Sequence, residues 1–203
     1  MAVTSLLRLQ IIVLAAGFSS RLGRPKALAR VHGVSLLRGT LELAATLQCA
    51  KIIAVVARAS ARYRAEARGI EVTFVTNSRR NQGLSSSVRR GIAAARYSPA
   101  VLFLPVDLGN LKSRELARLI RRWRAVPRGV IARRIGRIGA APLVLPRRLY
   151  PRALRITGDV GLRDLIAQLP ADSRVLVDMP SAASDIDTPQ DLEAARRTFR
   201  SRR

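Results

Sequence analysis

Two features of this sequence pair charged side chains with a backbone context that suits phosphate chemistry. The first is Leu14-Ala15-Ala16-Gly17-Phe18-Ser19-Ser20-Arg21-Leu22-Gly23-Arg24-Pro25-Lys26, which follows directly on an apolar run from Leu9 to Val13. A strand that ends in a glycine-containing loop carrying Arg and Lys can hold a polyphosphate. Small side chains let backbone N–H groups approach the oxygens, and the cations offset their charge. Gly17 and Gly23 can take backbone conformations closed to other residues. Arg21 can fork onto two phosphate oxygens, whereas Lys26 supplies a compact point charge. The plainer alternative is a polar turn between a strand and a helix. The spacing is neither Gly-x-x-x-x-Gly-Lys-Ser/Thr nor Gly-x-Gly-x-x-Gly. The second feature is Asp107, which follows Leu102-Phe103-Leu104-Pro105-Val106 and so stands at the carboxyl end of an apolar strand. Open α/β sheets place ligands at that edge. A carboxylate there, opposite a phosphate-binding loop, can hold Mg²⁺ between protein and triphosphate; its plainer role is a turn or cap aspartate.

The elements that must position these residues alternate between short β-branched runs and helical stretches, the pattern of a mainly parallel α/β sheet. Strands are expected at Leu9–Val13, Ile52–Val56, Glu71–Val75 and Val101–Val106, with helices at Ser35–Leu47, Ala61–Arg68, Ser85–Ala95 and Arg114–Trp123. The second half is less regular. It offers short strands at Val130–Ala132 and Leu143–Leu145, a helix at Leu162–Leu169 and a last strand at Arg174–Val177. Pro189 then opens a terminal helix, Gln190–Phe199, at a position where proline is tolerated. The Arg200–Arg203 end reads as a frayed, solvated tail. No repeat or linker interrupts the chain, so residues 1–203 are expected to form a single domain.

Composition narrows the function classes. The chain has 203 residues, 48% of them hydrophobic and 25% charged, which suits a globular protein able to bury a core. Its formal net charge is +24, and all but three of the 37 basic residues (Lys26, Lys51 and Lys112) are arginine. Such a surface attracts polyanions in general. A nucleic-acid-binding module is one alternative, but only 4% of residues are aromatic, leaving few stacking platforms, and the arginines are dispersed over many elements. Cys49 is the single cysteine and His32 the single histidine, which excludes an internal disulfide and a Cys- or His-rich zinc centre. His32 precedes Gly33 and reads as a turn residue. Arg8 followed by Ile11–Ala16 faintly imitates a signal peptide, but the apolar run is short and a polar loop follows. No stretch approaches the roughly 18 to 20 apolar residues that span a bilayer, and a cytoplasmic protein is expected.

The Leu14–Lys26 stretch resembles the signature Leu-Ala-Ala-Gly-x-Ser-x-Arg-x-Gly-x-x-Lys of the MobA-like nucleotidyltransferases, which include molybdenum cofactor cytidylyl- and guanylyltransferases. Further segments resemble that family in order. Asn77-x₅-Gly83-Leu84-Ser85-Ser86-Ser87 is similar to its Asn…Gly-x-Ser-x-Ser-Leu. Gly158-Asp159-x-Gly161-x-Arg163 is similar to its Gly-Asp-x-Gly-Ala-Arg, and Asp185-Ile186-Asp187-Thr188-Pro189-x-Asp191-Leu192 to its Asp-Ile-Asp-Thr-Pro-x-Asp-Leu. Two segments depart: Asp107-Leu108-Gly109 lacks the family's proline two residues after the aspartate, and Gly139-Ala140-Ala141-Pro142 stands in place of Gly-His-Pro.

The resemblance covers Ile11 to about Arg197 and implies a Rossmann-like, glycosyltransferase-A-type three-layer sandwich. The implied chemistry transfers a nucleotidyl group from an NTP to a phosphorylated acceptor and releases pyrophosphate. Arg21, Lys26 and Asp107 would be catalytic. Leu14, Ala15, Ala16, Gly17, Arg21, Lys26, Asn77, Gly83, Ser85 and Ser86 would bind the nucleotide, and Gly158, Asp159 and Arg163 the acceptor. Mg²⁺ would sit on Asp107 with Asp185 or Asp187, the other of that pair capping the terminal helix. Ala16 matches the cytidylyl branch, where the guanylyl branch carries glycine. The resemblance therefore implies CTP as donor, molybdopterin as acceptor, and a molybdoenzyme or its maturation chaperone as recipient of the product. The alternatives are guanylyl or other nucleotidyl transfer, or a catalytically degenerate relative that binds nucleotide or nucleic acid.

Overall fold

The computed structural model describes residues 9–17, 22–23, 25–159, 161–182 and 185–200, without side-chain surroundings for 198–200. Arg21 and residues 201–203 lie outside the described residues, so the expectations for the loop arginine and most of the tail concern positions beyond them.

Nine strands and seven α-helices follow one another along the described chain. The strands are β1 (Gln10–Ala15), β2 (Arg30–Val31), β3 (Val34–Ser35), β4 (Ile52–Val56), β5 (Thr73–Thr76), β6 (Ala100–Pro105), β7 (Val130–Ile135), β8 (Ile138–Pro146) and β9 (Arg174–Val177). The helices are α1 (Leu36–Ala45), α2 (Ala61–Ala65), α3 (Leu84–Ala94), α4 (Ser113–Ala125), α5 (Tyr150–Ala153), α6 (Leu162–Ala167) and α7 (Pro189–Arg200). Seven strands form one sheet in the order β5-β4-β1-β6-β8-β7-β9, and β2 and β3 make a separate small hairpin. β5, β4, β1 and β6 run parallel, β8 runs antiparallel to both its neighbours, and β9 is parallel to β7.

Residue type explains the layers. In β1, β4 and β6 nearly every side chain is apolar and buried, because both faces of a central parallel sheet are covered. With a period of two, Ile11, Val13, Ala54, Leu102 and Leu104 join the core on one face, and Ile12, Ile53, Val55, Val101 and Phe103 join the other. The first core is closed by Leu37 and Leu41 of α1, Leu116, Leu119 and Trp123 of α4, and Leu192 of α7. The second is closed by Val88 and Ile92 of α3, Tyr150 of α5, and Leu165 and Ile166 of α6. The result is the three-layer α/β sandwich with a mostly parallel sheet that the sequence suggests. Among the described residues no helix is long and apolar enough to cross a membrane.

The sheet corrects the expectation for the second half. The two short strands expected there are a long hairpin in which Ile135 pairs with Ile138 across Gly136, whose φ of +58° makes the turn. Arg133, Arg134 and Arg137 break the apolar pattern and conceal the strand ends. The order of strands reverses at β1: the chain moves outward through β4 and β5, then returns to β6 on the other side of β1. The carboxyl ends of β1 and β6 therefore flank a topological switch point, where such sheets open a crevice.

Candidate active site

At that switch point lies a cleft of about 530 Å³, lined by Leu14 to Gly17 at the end of β1 and just beyond it, Lys26 and Ala27, Leu84 and Ser87 of α3, and Pro105 to Asp107 at the end of β6 and just beyond it. Arg133 of β7, Ala141 of β8, Asp185 and Asp187 complete it. Register fixes its floor, since Leu14 pairs with Pro105 and Ala15 with Val56. The loop and Asp107 thus leave adjacent strands side by side.

Lys26 begins a short 3-10 turn, Lys26–Leu28, behind Pro25, and its ammonium reaches back over the strand ends. Its Nζ lies 3.2 Å from Asp107 Oδ2 and 2.5 Å from Asp187 Oδ1, with the Lys26 side chain only 15% exposed. Burial alone would lower the pKa of this amine, but the Asp107 and Asp187 carboxylates outweigh it and hold the pKa above its ordinary value. The group stays a cation throughout the physiological range. Asp187 is carried there by its neighbour: the Ile186 N–H donates to the Asp107 carbonyl at 3.0 Å, and the Ile186 side chain is buried in the core. The same packing bears on the missing proline after Asp107, because a Cβ on Gly109 would stand 2.8 Å from Ile186 Cδ1.

Neither aspartate of the pair caps the terminal helix, contrary to expectation. Thr188 Oγ1 accepts the Asp191 N–H at 3.1 Å, and Asp191 Oδ2 accepts the Thr188 N–H at 2.8 Å and the Asp187 N–H at 3.0 Å. This reciprocal capping box leaves both upstream carboxylates available to the cleft. The hydrogen bonds from Thr188 hold the Asp191 carboxyl below the usual aspartate range. Asp185 turns toward Arg133, with Oδ1 3.6 Å from Nη1. Burial, followed by the nearby Asp107 charge, pushes the Asp185 carboxyl above its ordinary value against the pull of Arg133.

The structure brings Leu14, Ala15, Ala16, Gly17, Lys26, Asp107, Asp185 and Asp187 together at the cleft. Gly17 does not use the left-handed region expected of it; a Cβ there would meet nothing within 4 Å among the described residues, whereas Gly23 has φ +63°. Ala16 is only 1% exposed and belongs to the core beneath the loop.

The helix start after Asn77 is not presented as the sequence suggests. Asn77 is buried, and its Nδ2 donates to the hydroxyls of Ser86 at 2.8 Å and Ser87 at 3.0 Å. The Ser86 hydroxyl donates to the Gly83 carbonyl at 2.8 Å, and the Ser85 N–H donates to the Gly158 carbonyl at 3.2 Å. α3 begins at Leu84 rather than Ser85, so Leu84 and Ser87, one helical turn apart, face the cleft while Ser85 and Ser86 turn inward. Gly83 has φ +82° and lies so close to the next segment that a Cβ would be 2.3 Å from the Gly158 carbonyl carbon. Gly158 and Asp159 are thereby packed against the start of α3, with Asp159 and Arg163 exposed outside the cleft wall.

One cleft residue escapes a reading of motifs. Arg133 is 7% exposed, and its Nη1 donates to the Ala182 carbonyl. An arginine continuing the apolar strand run Val130-Ile131-Ala132 was the available signal. A register shift between Ala132 and Arg133 then re-aims the strand at this point.

The donor set at the cluster bears on a divalent cation. Oxygens of Asp107 and Asp187 already converge on a single positive charge, the Lys26 ammonium. Among the described residues no group of three or more Asp, Glu, His or Cys side chains could hold a metal alone. Two carboxylates completed by phosphate oxygens and water are the arrangement Mg²⁺ commonly takes, so the residues fit such an ion.

Residues 11–174 match the profile of the MobA-like NTP transferase domain. A probable molybdenum cofactor guanylyltransferase of Rhodopirellula baltica is 29% identical over 191 residues, covering 89% of this chain and 88% of that one. Among solved structures, a nucleotidyl transferase from Methanothermobacter superposes with a TM-score of 0.79 at 21% identity, covering 97% of this chain and 99% of its own. A Mycobacterium tuberculosis protein solved in complex with manganese superposes with a TM-score of 0.72 at 21% identity, covering 94% and 99%. At these identities the two structures speak to the fold.

Proposed function

The chain is a nucleotidyltransferase of the MobA-like NTP transferase family, and from that premise we propose that it transfers CMP from CTP to molybdopterin and releases pyrophosphate. The observation that carries this reading is the convergence of Lys26, Asp107 and Asp187 beside a loop of small residues at the switch point of the sheet. In the reaction, an oxygen of the acceptor phosphate attacks the α-phosphorus of the nucleotide. A new P–O bond forms, the bond to the α,β-bridging oxygen breaks, and pyrophosphate leaves with the electron pair. A phosphate monoester is already an anionic nucleophile, so the protein supplies alignment and charge neutralisation rather than a general base. The single histidine fits this scheme, since His32 sits in the turn between β2 and β3 and does not line the cleft.

Lys26 binds the triphosphate in this reading and neutralises charge as pyrophosphate departs. Arg21 of the same loop is assigned to the triphosphate on its match to the family signature. Asp107 and Asp187 would hold Mg²⁺, whose contribution when bound is to offset the charge of the triphosphate. The Mycobacterium tuberculosis protein of the same fold was solved in complex with manganese, and a hard divalent ion suits two carboxylates. Gly158, Asp159 and Arg163 are assigned to the acceptor on the family pattern alone. The proposed setting is the cytoplasm, with a molybdoenzyme or its maturation chaperone receiving the product.

The choice of CTP rests on Ala16 within Leu-Ala-Ala-Gly. Because Ala16 is buried, its influence on the base passes through the backbone of the loop, which is stiffer with alanine than with glycine. A second reading, GTP as donor, is favoured by the name of the Rhodopirellula relative. Competition between equal CTP and GTP on the wild type and Ala16→Gly separates them. CTP is expected to be preferred by the wild type, with the preference reduced in the variant. Preference for GTP in the wild type would overturn the donor assignment.

A further inference from the structure

We propose that Arg133 grips the phosphate group of the acceptor, an assignment that rests on the transfer reaction above. Its guanidinium is over nine-tenths buried yet lines the cleft. Nη1 is engaged by the Ala182 carbonyl and lies 3.6 Å from Asp185. Nε is sealed from solvent and has no hydrogen-bond partner among the described residues. Guanidinium does not lose its charge in proteins, and a buried donor left unmade is costly. A permanent cation that lines the cleft with one arm braced by the protein is prepared for an anion, and the planar fork of a guanidinium matches phosphate.

Position separates acceptor from donor. The loop that would cradle the triphosphate leaves β1, and Arg133 stands on β7, with β6 and β8 between them. At a strand spacing of about 4.8 Å, the two strands are roughly 14 Å apart. Lys26, Asp107 and Asp187 occupy the ground between, on the β6 side. A phosphate at Arg133 therefore faces the triphosphate from across that cluster, as the attacking group must. The competing role is purely structural, a pin that ties β7 to residues 182–185.

Two variants separate these roles. Arg133→Met keeps much of the volume and loses every donor. Arg133→Lys keeps a charge for Asp185 and loses the Nε–H and the fork. Pyrophosphate release is measured at saturating CTP with varied molybdopterin, then at saturating molybdopterin with varied CTP. Both variants are expected to raise KM for molybdopterin at least tenfold and to leave KM for CTP within twofold, with Arg133→Lys unfolding at the wild-type temperature. Equal rises in both KM values, or no rise in either, would overturn the assignment. A second measurement stands apart from turnover: crystals soaked in tungstate, a tetrahedral dianion with strong anomalous scattering. Density within hydrogen-bond reach of the Arg133 guanidinium supports the site even if the wild type transfers no nucleotide; its absence refutes the site even if transfer occurs.

Discussion

The two sides of the cleft are built differently. On the β1–β6 side, backbone register alone brings the functional groups together: parallel strands end level, the loop and Asp107 leave adjacent strands, and the Ile186 N–H fastens Asp187 to the Asp107 carbonyl. Charge there is clustered, with one ammonium between two carboxylates. On the β7–β8 side the strands form an antiparallel hairpin, and the group offered to the cleft is one buried arginine with a donor unspent. The first side is a preassembled cluster that a polyphosphate would enter by exchanging partners. The second is a single cation braced by the Ala182 carbonyl and Asp185.

Breaking the clustered side should have the largest effect. Lys26→Ala and Asp107→Ala are each expected to lower turnover by roughly 10²- to 10³-fold, the scale of losing one electrostatic contact to a developing charge. Thermal unfolding should shift little. Pyrophosphate release and calorimetry on the same preparations check both halves. Near-wild-type turnover in either variant would remove that residue from the core of the site.

The division of labour between the paired aspartates is sharper and smaller. Asp187→Ala should lower turnover more than Asp185→Ala, because Asp187 faces Lys26 while Asp185 faces Arg133. Titrating turnover with Mg²⁺ should show a weakened metal requirement curve for Asp187→Ala alone. Equal curves would merge the two roles.

Gly83 joins the two sides through the Gly158 backbone. Gly83→Ala places a Cβ against backbone that cannot rotate away and demands a left-handed φ of an L-residue. A loss of about 1–3 kcal/mol in stability is expected from the strain, read by denaturant unfolding. An unchanged midpoint would show that the two segments are not held in contact.

The smallest effect concerns the helix that presents Asp187. Thr188→Ala should cost about 1 kcal/mol by removing the cap. Asp191 adds a pH signature. Its pKa is lower folded than unfolded, so its contribution is complete above the ordinary aspartate value of 3.8 and fades as pH falls through the lowered value. The stability gap between wild type and Asp191→Ala should therefore close below about pH 3.8. A gap constant to pH 2 would mean the carboxylate is not what Thr188 engages.

Legibility in the sequence follows the same division. Central strands such as Ile52–Val56 were plain because both faces are buried and apolar residues run without interruption. Lys26 and Asp107 were legible because a loop and a carboxylate at the carboxyl ends of two strands meet if those strands are parallel neighbours; Asp187 was legible only as one of a pair that the resemblance implied. What failed did so for physical reasons. Ser85 and Ser86 suited a cap by composition, but helical phase buried both, Ser86 against Asn77 and Ser85 against Arg89. Asp185 and Asp187 looked like cap candidates, yet Thr188 and Asp191 form the box three residues apart. Arg133 carried no motif; only the register shift in β7 and the fold around residues 182–185 make it a cleft residue.

The central claim is metal-dependent nucleotidyl transfer at the Lys26–Asp107–Asp187 cluster. Its most direct test is pyrophosphate release by the wild type and Asp107→Ala with molybdopterin, each NTP in turn, and Mg²⁺ present or chelated. Release by the wild type is expected, greatest with CTP, abolished by chelation and reduced at least about a hundredfold in the variant. No release with any NTP, or equal release from the wild type and Asp107→Ala, would contradict it.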